Sequence, residues 1–126
     1  MAPRHILVTD EDPDTRIILR ALLERHGYSV IEAANAQQAM SLVTDNLSLV
    51  IMNHPMMATP QITLARWFRA QNETRDVPII NLTSRAVPNY REDAAKQGVT
   101  VSLVKPLDVH AILHLVRELT EAVATH

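Results

Sequence analysis

Short apolar segments alternate with helix-like segments five times along this chain. The apolar segments are residues 6–9, 29–32, 49–52, 78–82 and 100–104. Parallel strands that are buried on both faces are almost continuously apolar, and each needs a crossover, usually a helix, before the next. The alternation therefore predicts an α/β fold, a single doubly wound (βα)5 domain over residues 1–126 with a parallel five-stranded sheet between helices.

Helix-start signals fall between these segments. Asp12-Pro13 predicts an N-cap followed by a first-turn proline, which opens a helix that runs to His26. Thr59-Pro60 predicts a second start of the same kind, leading into the helix that holds Trp67 and Phe68 as core and core edge. Two more helices are indicated by apolar spacing, at Ala36, Ala39, Met40 and Val43, and at Val109, Ile112, Val116 and Val123 after a capping Asp108.

The two glycines are explained by helix ends. Gly27 and Gly98 each follow a predicted helix and precede a strand, where a left-handed cap residue is expected. Neither belongs to a glycine-rich phosphate loop, so a nucleotide-binding motif of that kind is not indicated.

Composition excludes several functions. A net charge of −2 with 3% aromatic residues provides neither a basic surface nor a base-stacking platform, so nucleic-acid binding by this domain is not expected. The sequence has no cysteine, which is compatible with the cytoplasm, the expected location. No apolar stretch is long enough for a signal peptide or a membrane span, so no membrane partner is expected.

Polar residues close four of the five predicted strands. Asp10 and Glu11 follow the first, Asn53 the third, Thr83 the fourth and Lys105 the fifth. Because the carboxyl ends of parallel strands meet at one edge of a sheet, these side chains should share a cleft. Paired carboxylates suit Mg²⁺, and a lysine and a hydroxyl opposite them suit a phosphoryl group.

This arrangement resembles the receiver domain of two-component response regulators over essentially the whole chain. The resemblance is carried by segments 6–14, 49–53, 79–83 and 103–106. Each segment contains all or part of a predicted strand together with the polar residues at its carboxyl end. It implies a flavodoxin-like sheet of order 2-1-3-4-5, and a histidine kinase or another signalling protein as partner. Pairing of two copies is left open.

The resemblance also implies a role for each matching residue. Asn53 stands at the phosphoacceptor position, where the family has an aspartate that takes a phosphoryl group from the kinase. Asp10 and Glu11 match the metal-holding pair, with residue 53 as a further Mg²⁺ ligand. Thr83 matches the hydroxyl that moves toward the phosphoryl group. Lys105 matches the lysine that contacts this group, and the Lys105-Pro106 bond is expected to be cis.

Several positions depart from the family pattern. Besides Asn53, Ser102 replaces the aromatic residue whose rotation reports phosphorylation, and Ser48, Met57 and Gln61 are unusual at their positions. A carboxamide cannot attack phosphorus as a carboxylate does, and it carries no charge for a metal. We therefore expect a bacterial receiver that binds Mg²⁺ weakly, is not an enzyme and acts by protein contact without taking phosphate. A hydrogen bond from Asn53 to Lys105 or Thr83 could hold it in one state.

Alternatives remain open at this stage. The chain could be a true phosphoacceptor receiver that carries an Asp-to-Asn substitution at Asn53. It could also be a small haloacid-dehalogenase-type phosphohydrolase built on Asp10 and Asp12, although no acidic pair follows Lys105. His54 could be imagined as a substitute acceptor, but an incidental loop histidine is the simpler interpretation. His110 and His114 lie four residues apart and are better explained as part of a solvated helix face than as a zinc site.

Overall fold

The computed structural model describes residues 4–84 and 87–124, with the backbone alone for 122–124. Strands and helices alternate along this part of the chain, as the apolar pattern predicts. The elements are β1 His5–Thr9, α1 Pro13–Arg25, β2 Ser29–Ala33, α2 Ala36–Ser41, β3 Leu47–Met52, α3 Leu64–Ala70, β4 Ile79–Thr83, α4 Tyr90–Lys96, β5 Val101–Val104 and α5 Val109–Ala124.

The five strands form one parallel sheet of order β2-β1-β3-β4-β5. The order reverses between β1 and β3, and β3 is the central strand of the sheet. Every residue of β3 is buried, which explains the continuous apolar run in this strand. The predicted doubly wound fold and the strand order implied by the resemblance are both confirmed.

A hydrophobic core lies on each face of the sheet. On one face, Phe68 of α3 is fully buried against Leu7, Val50 and Ile79 of the strands. On the other face, α1 and α5 pack against the sheet through fully or almost fully buried side chains, which are Leu19, Leu23, Ile112 and Val116. Trp67 packs at the edge of the first core, so Phe68 is the core residue of this pair and Trp67 is the edge residue.

Side-chain caps fix most of the helix starts. Asp12 caps α1, accepting from the Asp14 N–H at 3.1 Å and from the Thr15 hydroxyl at 2.8 Å. Asp108 precedes α5 and accepts from the N–H groups of His110 and Ala111. Both assignments from the sequence are confirmed, since each aspartate satisfies N–H groups that have no partner within the helix.

The start of α3 was predicted wrongly. The helix begins at Leu64, and its N-cap is Thr63, whose Oγ1 accepts from the Arg66 N–H at 3.2 Å. Thr59 instead uses its hydroxyl within a turn, accepting from the N–H groups of Gln61 and Ile62. The local turn therefore uses the capping group that the sequence pattern assigned to the helix.

The predicted stripe on α5 is confirmed only in part. Ile112 and Val116 are buried, but Val109, the first residue of the helix, is 38% exposed. The side chain of Val123 lies outside the described residues. His110 and His114 are exposed together with Arg117 and Glu121, and His114 lies 3.0 Å from Glu118. This is the solvated face that the sequence predicts.

Both glycines adopt positive φ, +89° at Gly27 and +100° at Gly98, as expected for helix ends. We expect Gly27→Ala to lower the free energy of unfolding by about 1 kcal/mol, because only backbone strain opposes it. An added Cβ at Gly98 would also lie 2.6 Å from Cγ of Arg69, whose guanidinium is held by backbone carbonyls. Gly98→Ala should therefore lower the free energy of unfolding by more than Gly27→Ala does.

Urea unfolding of the two glycine variants measures this difference. Gly27 is the matched control, because its Cβ position has no heavy atom within 4 Å. Equal losses of stability in the two variants would show that Arg69 moves aside at no cost, contrary to the expectation.

Candidate functional site

Main-chain hydrogen bonds join neighbouring strand ends at the carboxyl edge of the sheet. The N–H of Asn53 donates to the carbonyl of Thr9 at 3.2 Å, which sets residue 53 beside the end of β1. The N–H of Lys105 donates to the carbonyl of Thr83 at 2.8 Å, which joins β5 to β4. The structure therefore brings the strand ends that carry the predicted site residues to one edge, as the topology requires.

Asp10 and Lys105 form a largely buried ion pair at this edge. Nζ of Lys105 lies 3.0 Å from Oδ2 of Asp10, and the side chains are 18% and 3% exposed. The other carboxylate oxygen of Asp10 accepts from the Asp12 N–H at 2.9 Å. The lysine thus pairs with the carboxylate, and the hydrogen bond from Asn53 to Lys105 considered from the sequence is not observed.

The other predicted metal ligands differ in exposure. Glu11 is exposed and Asn53 is half-buried, so both can approach an ion from the solvent side. Together with Asp10 they form an oxygen-only set, which is the donor chemistry that Mg²⁺ prefers. The set fits the ion, but Lys105 already neutralises one of its two carboxylates. No group of three or more His, Cys, Asp or Glu residues in segments 4–84 and 87–124 is placed to hold a metal.

Thr83 and Ser102 lie at different depths in the sheet. Thr83 is the last residue of β4, is 7% exposed and pairs with Val104 in the ladder. Ser102 lies two residues earlier in β5, opposite Asn81, and its Oγ accepts a hydrogen bond from Nδ2 of Asn81 at 3.3 Å. Of the two predicted switch positions, only Thr83 therefore stands at the strand end.

Two residues near Asn53 were given little or no weight from the sequence. Asn81, inside β4, accepts from the N–H of His54 through Oδ1 at 2.8 Å. A polar residue inside an apolar strand was the available signal. Nδ1 of His54 is buried and has no hydrogen-bond partner among the described residues. Burial holds the pKa of His54 below its ordinary value, because a low-dielectric environment disfavours the charged imidazolium.

A cleft of about 500 Å³ opens beside these residues. It runs from the ends of β3 and β4 to α4. Its walls are Asn53, His54, Pro55, Asn81, Thr83, Ser84, Val87, Tyr90, Asp93 and Ala94. The predicted acceptor position and the predicted switch hydroxyl therefore face the same open space, whereas Ser102 does not line it.

Both the fold and the sequence agree with one known family. The family model described as the response regulator receiver domain matches residues 6–117. The chain belongs to this family. Receiver domains are modules of two-component signalling that interact with histidine kinases and other signalling proteins, and they commonly bind Mg²⁺ at an acidic site. The phosphohydrolase alternative loses its basis with this assignment.

This receiver is similar to individual known proteins over most of its length. An uncharacterized 14.6 kDa protein in the sodA1 3′ region of Leptolyngbya boryana is 34% identical, over 94% of this chain and 91% of its own length. The phosphate regulon transcriptional regulatory protein PhoB of Pseudomonas aeruginosa is 30% identical, over 84% of this chain and 47% of its own length. A response regulator from Desulfuromonas acetoxidans has the same fold, with a TM-score of 0.85 at 18% identity over 94% of this chain and 98% of that one.

No helix among the described residues of this receiver is long and apolar enough to cross a membrane.

The peptide bond Lys105-Pro106 is cis, as the resemblance implies, and His54-Pro55 is a second cis bond that the sequence analysis did not predict.

Proposed function

We propose that this receiver domain accepts no phosphoryl group at Asn53 and acts through protein–protein contact that does not depend on phosphorylation. Its partner is a histidine kinase or another signalling protein of a two-component pathway, and it performs no catalysis of its own. The site residues keep the roles given by their positions, with Asp10 and Glu11 as the acidic pair, Asn53 at the acceptor position, and Thr83 and Lys105 around the phosphoryl position.

The observation that supports this proposal is a carboxamide at the end of β3, joined through its backbone to Thr9 and so set beside Asp10. Transfer of a phosphoryl group requires a nucleophile that attacks phosphorus and expels the leaving group of the donor. The Asn53 amide oxygen is neutral and delocalised, so it is a poor nucleophile and forms no stable acyl phosphate. The position is present, but the reactive group is missing.

Weak Mg²⁺ binding is part of the same proposal. A unit charge about 4 Å from an ion is worth roughly 4 kcal/mol at an effective dielectric constant near 20, before desolvation is subtracted. Asn53 lacks that charge, and Lys105 offsets the charge of Asp10. Mg²⁺ would be held by Glu11, Asp10 and the Asn53 carbonyl oxygen together with water. When bound, it would shield negative charge at the site.

A second interpretation, a phosphoacceptor receiver with one substituted residue, predicts that restoring the carboxylate restores the whole response. The departure at Ser102 argues against it, because this side chain is engaged with Asn81 and is too small to act as a rotating aromatic reporter.

Intact-mass spectrometry after incubation with Mg²⁺ and a small acyl phosphate tests the proposal. We expect no phosphoryl gain for the unaltered chain and the gain of one group for Asn53→Asp. Asn72→Asp is the matched control, since it adds a carboxylate at an exposed loop position and should gain nothing.

Phosphorylation of the unaltered chain would contradict the proposal, and loss of that signal in His54→Gln would identify His54 as the acceptor. Full phosphorylation of Asn53→Asp together with a large conformational change would favour the second interpretation.

A further inference from the structure

A buried carboxamide interrupts the apolar sequence of β4. Asn81 is 2% exposed, and its neighbours Ile80 and Leu82 are buried in the core on the opposite face of the sheet. An amide removed from water is unfavourable unless it is hydrogen-bonded, and the cost is about 1–3 kcal/mol in proteins. The position therefore needs partners, and the structure provides them on both sides.

The two ends of the Asn81 amide bond to different parts of the site. Oδ1 accepts from the backbone N–H of His54 at 2.8 Å, and Nδ2 donates to Oγ of Ser102 at 3.3 Å. The ladder between β3 and β4 ends at the pair Met52 and Asn81. The Asn81 side chain thus continues the connection between these strands beyond their last paired residues, to the residue directly after Asn53.

The second bond crosses to the edge strand. Asn81 and Ser102 are direct neighbours in the parallel register of β4 and β5, and both side chains are buried. Serine at residue 102 is small enough to leave the amide in place and polar enough to accept its hydrogen bond. The chain His54 N–H, Asn81, Ser102 therefore connects the loop after β3 with β4 and β5.

We propose that Asn81 is a positioning residue, which ties the loop that begins at Asn53 to β5 through Ser102 and holds the two in one arrangement. The Asn81 side chain is buried and hydrogen-bonded through both its oxygen and its nitrogen. A satisfied buried network of this kind rigidifies the elements that it joins. The inference deepens the proposed function and rests on it, because a fixed connection between acceptor loop and edge strand gives a constant surface to a partner without phosphorylation.

Amide hydrogen exchange at His54 measures the first bond. We expect Asn81→Leu to accelerate exchange of the His54 N–H at least tenfold more than that of the Val50 N–H, which donates to Pro78 inside the sheet and reports general loss of stability. Equal acceleration at both amides would overturn the proposal, since it would show a general loss of stability and no specific hold on the loop.

Ser102→Ala tests the second bond and serves if Asn81→Leu fails to fold. This variant leaves both partners of the bond between Asn81 and His54 in place. It should still weaken that bond, shift the His54 amide resonance and raise its exchange severalfold, because the Asn81 side chain loses one anchor. Ser48→Ala is the matched control, a buried strand serine whose Oγ donates to the carbonyl of His5 at 3.4 Å. It should leave His54 unchanged.

An unaltered His54 amide in Ser102→Ala would overturn the connection to β5. This readout is independent of the mass measurement above. Exchange at His54 is measured without a phosphodonor. Phosphorylation of the unaltered chain would therefore contradict the proposed function and leave the exchange result standing, so the two failures are distinguishable.

Discussion

Lys105→Met is expected to lower the free energy of unfolding by about 3 kcal/mol, because it leaves the carboxylate of Asp10 buried without its counter-charge. Asp10 is 3% exposed, and the ammonium of Lys105 is its only ion-pair partner among the described residues. The same variant should bind Mg²⁺ more tightly, since the ion no longer competes with the lysine for Asp10. Urea unfolding with and without Mg²⁺ measures both effects.

Two further variants separate the ion pair from a general effect of losing a lysine. Lys96→Met removes an exposed lysine of α4 and should change stability by no more than about 0.5 kcal/mol. Asp10→Asn combined with Lys105→Met should recover most of the loss, because no uncompensated charge remains. Loss of stability in Lys105→Met equal to that in Lys96→Met would contradict the buried pair.

Arg69→Met is expected to lower the free energy of unfolding by about 3 kcal/mol, since one guanidinium joins two connections of the fold. Nε donates to the carbonyl of Gly98 at 2.9 Å, at the turn between α4 and β5. Nη1 contacts carbonyls of the α3–β4 connection, which are those of Thr74, Arg75 and Val77 at 3.1, 3.1 and 2.6 Å. Burial lowers the pKa of Arg69 against the opposing effect of Asp76, and these carbonyls replace the lost hydration.

Thermal and urea unfolding compare Arg69→Met with Arg66→Met, which removes an exposed arginine from the same helix. Arg66→Met should change stability by no more than about 0.5 kcal/mol. Arg69→Lys should recover only part of the loss, because an ammonium cannot reach both connections in the fixed geometry of the guanidinium fork. Equal effects of Arg69→Met and Arg66→Met would show that the carbonyls are satisfied by water.

The strand pattern was readable from the sequence because burial on both faces leaves a continuous apolar run, as in β3. The caps at Asp12 and Asp108 were readable for a related reason, since each uses only neighbouring residues. The start of α3 could not be read from the sequence in this way. Thr59 and Thr63 are both followed by residues that allow a helix, and the choice between them depends on the antiparallel bridge between Met57 and Thr63 that closes the loop.

The candidate site was predictable as a set of positions but not as a set of contacts. Topology alone brings Asp10 and Lys105 to one edge, whereas their pairing at 3.0 Å depends on side-chain placement across 95 residues of sequence separation. The bridge through Asn81 was missed for the same reason. A lone asparagine in a strand indicates a hydrogen-bond requirement, but its partners lie in the loop after β3 and in β5 and cannot be read from its neighbours in sequence.

The loop that begins at Asn53 is also the loop held by the bridge through Asn81, since His54 follows Asn53 directly. A ligand shifts a conformational equilibrium only by its differential affinity for the two states. Asn53 is neutral, Lys105 is already paired with Asp10, and a polar bridge runs from His54 to Ser102. A small phosphodonor therefore has little differential affinity for a second state of the domain. The domain should therefore present the same surface with and without the donor.

The most direct test of this account is the amide NMR spectrum of the labelled chain, recorded alone, with Mg²⁺, and with Mg²⁺ and a small acyl phosphate. We predict that Mg²⁺ shifts only resonances close to Asp10, Glu11 and Asn53, and that the phosphodonor adds nothing. Donor-dependent shifts that extend through β5 and α4 would contradict the account, because they would show that the domain still switches.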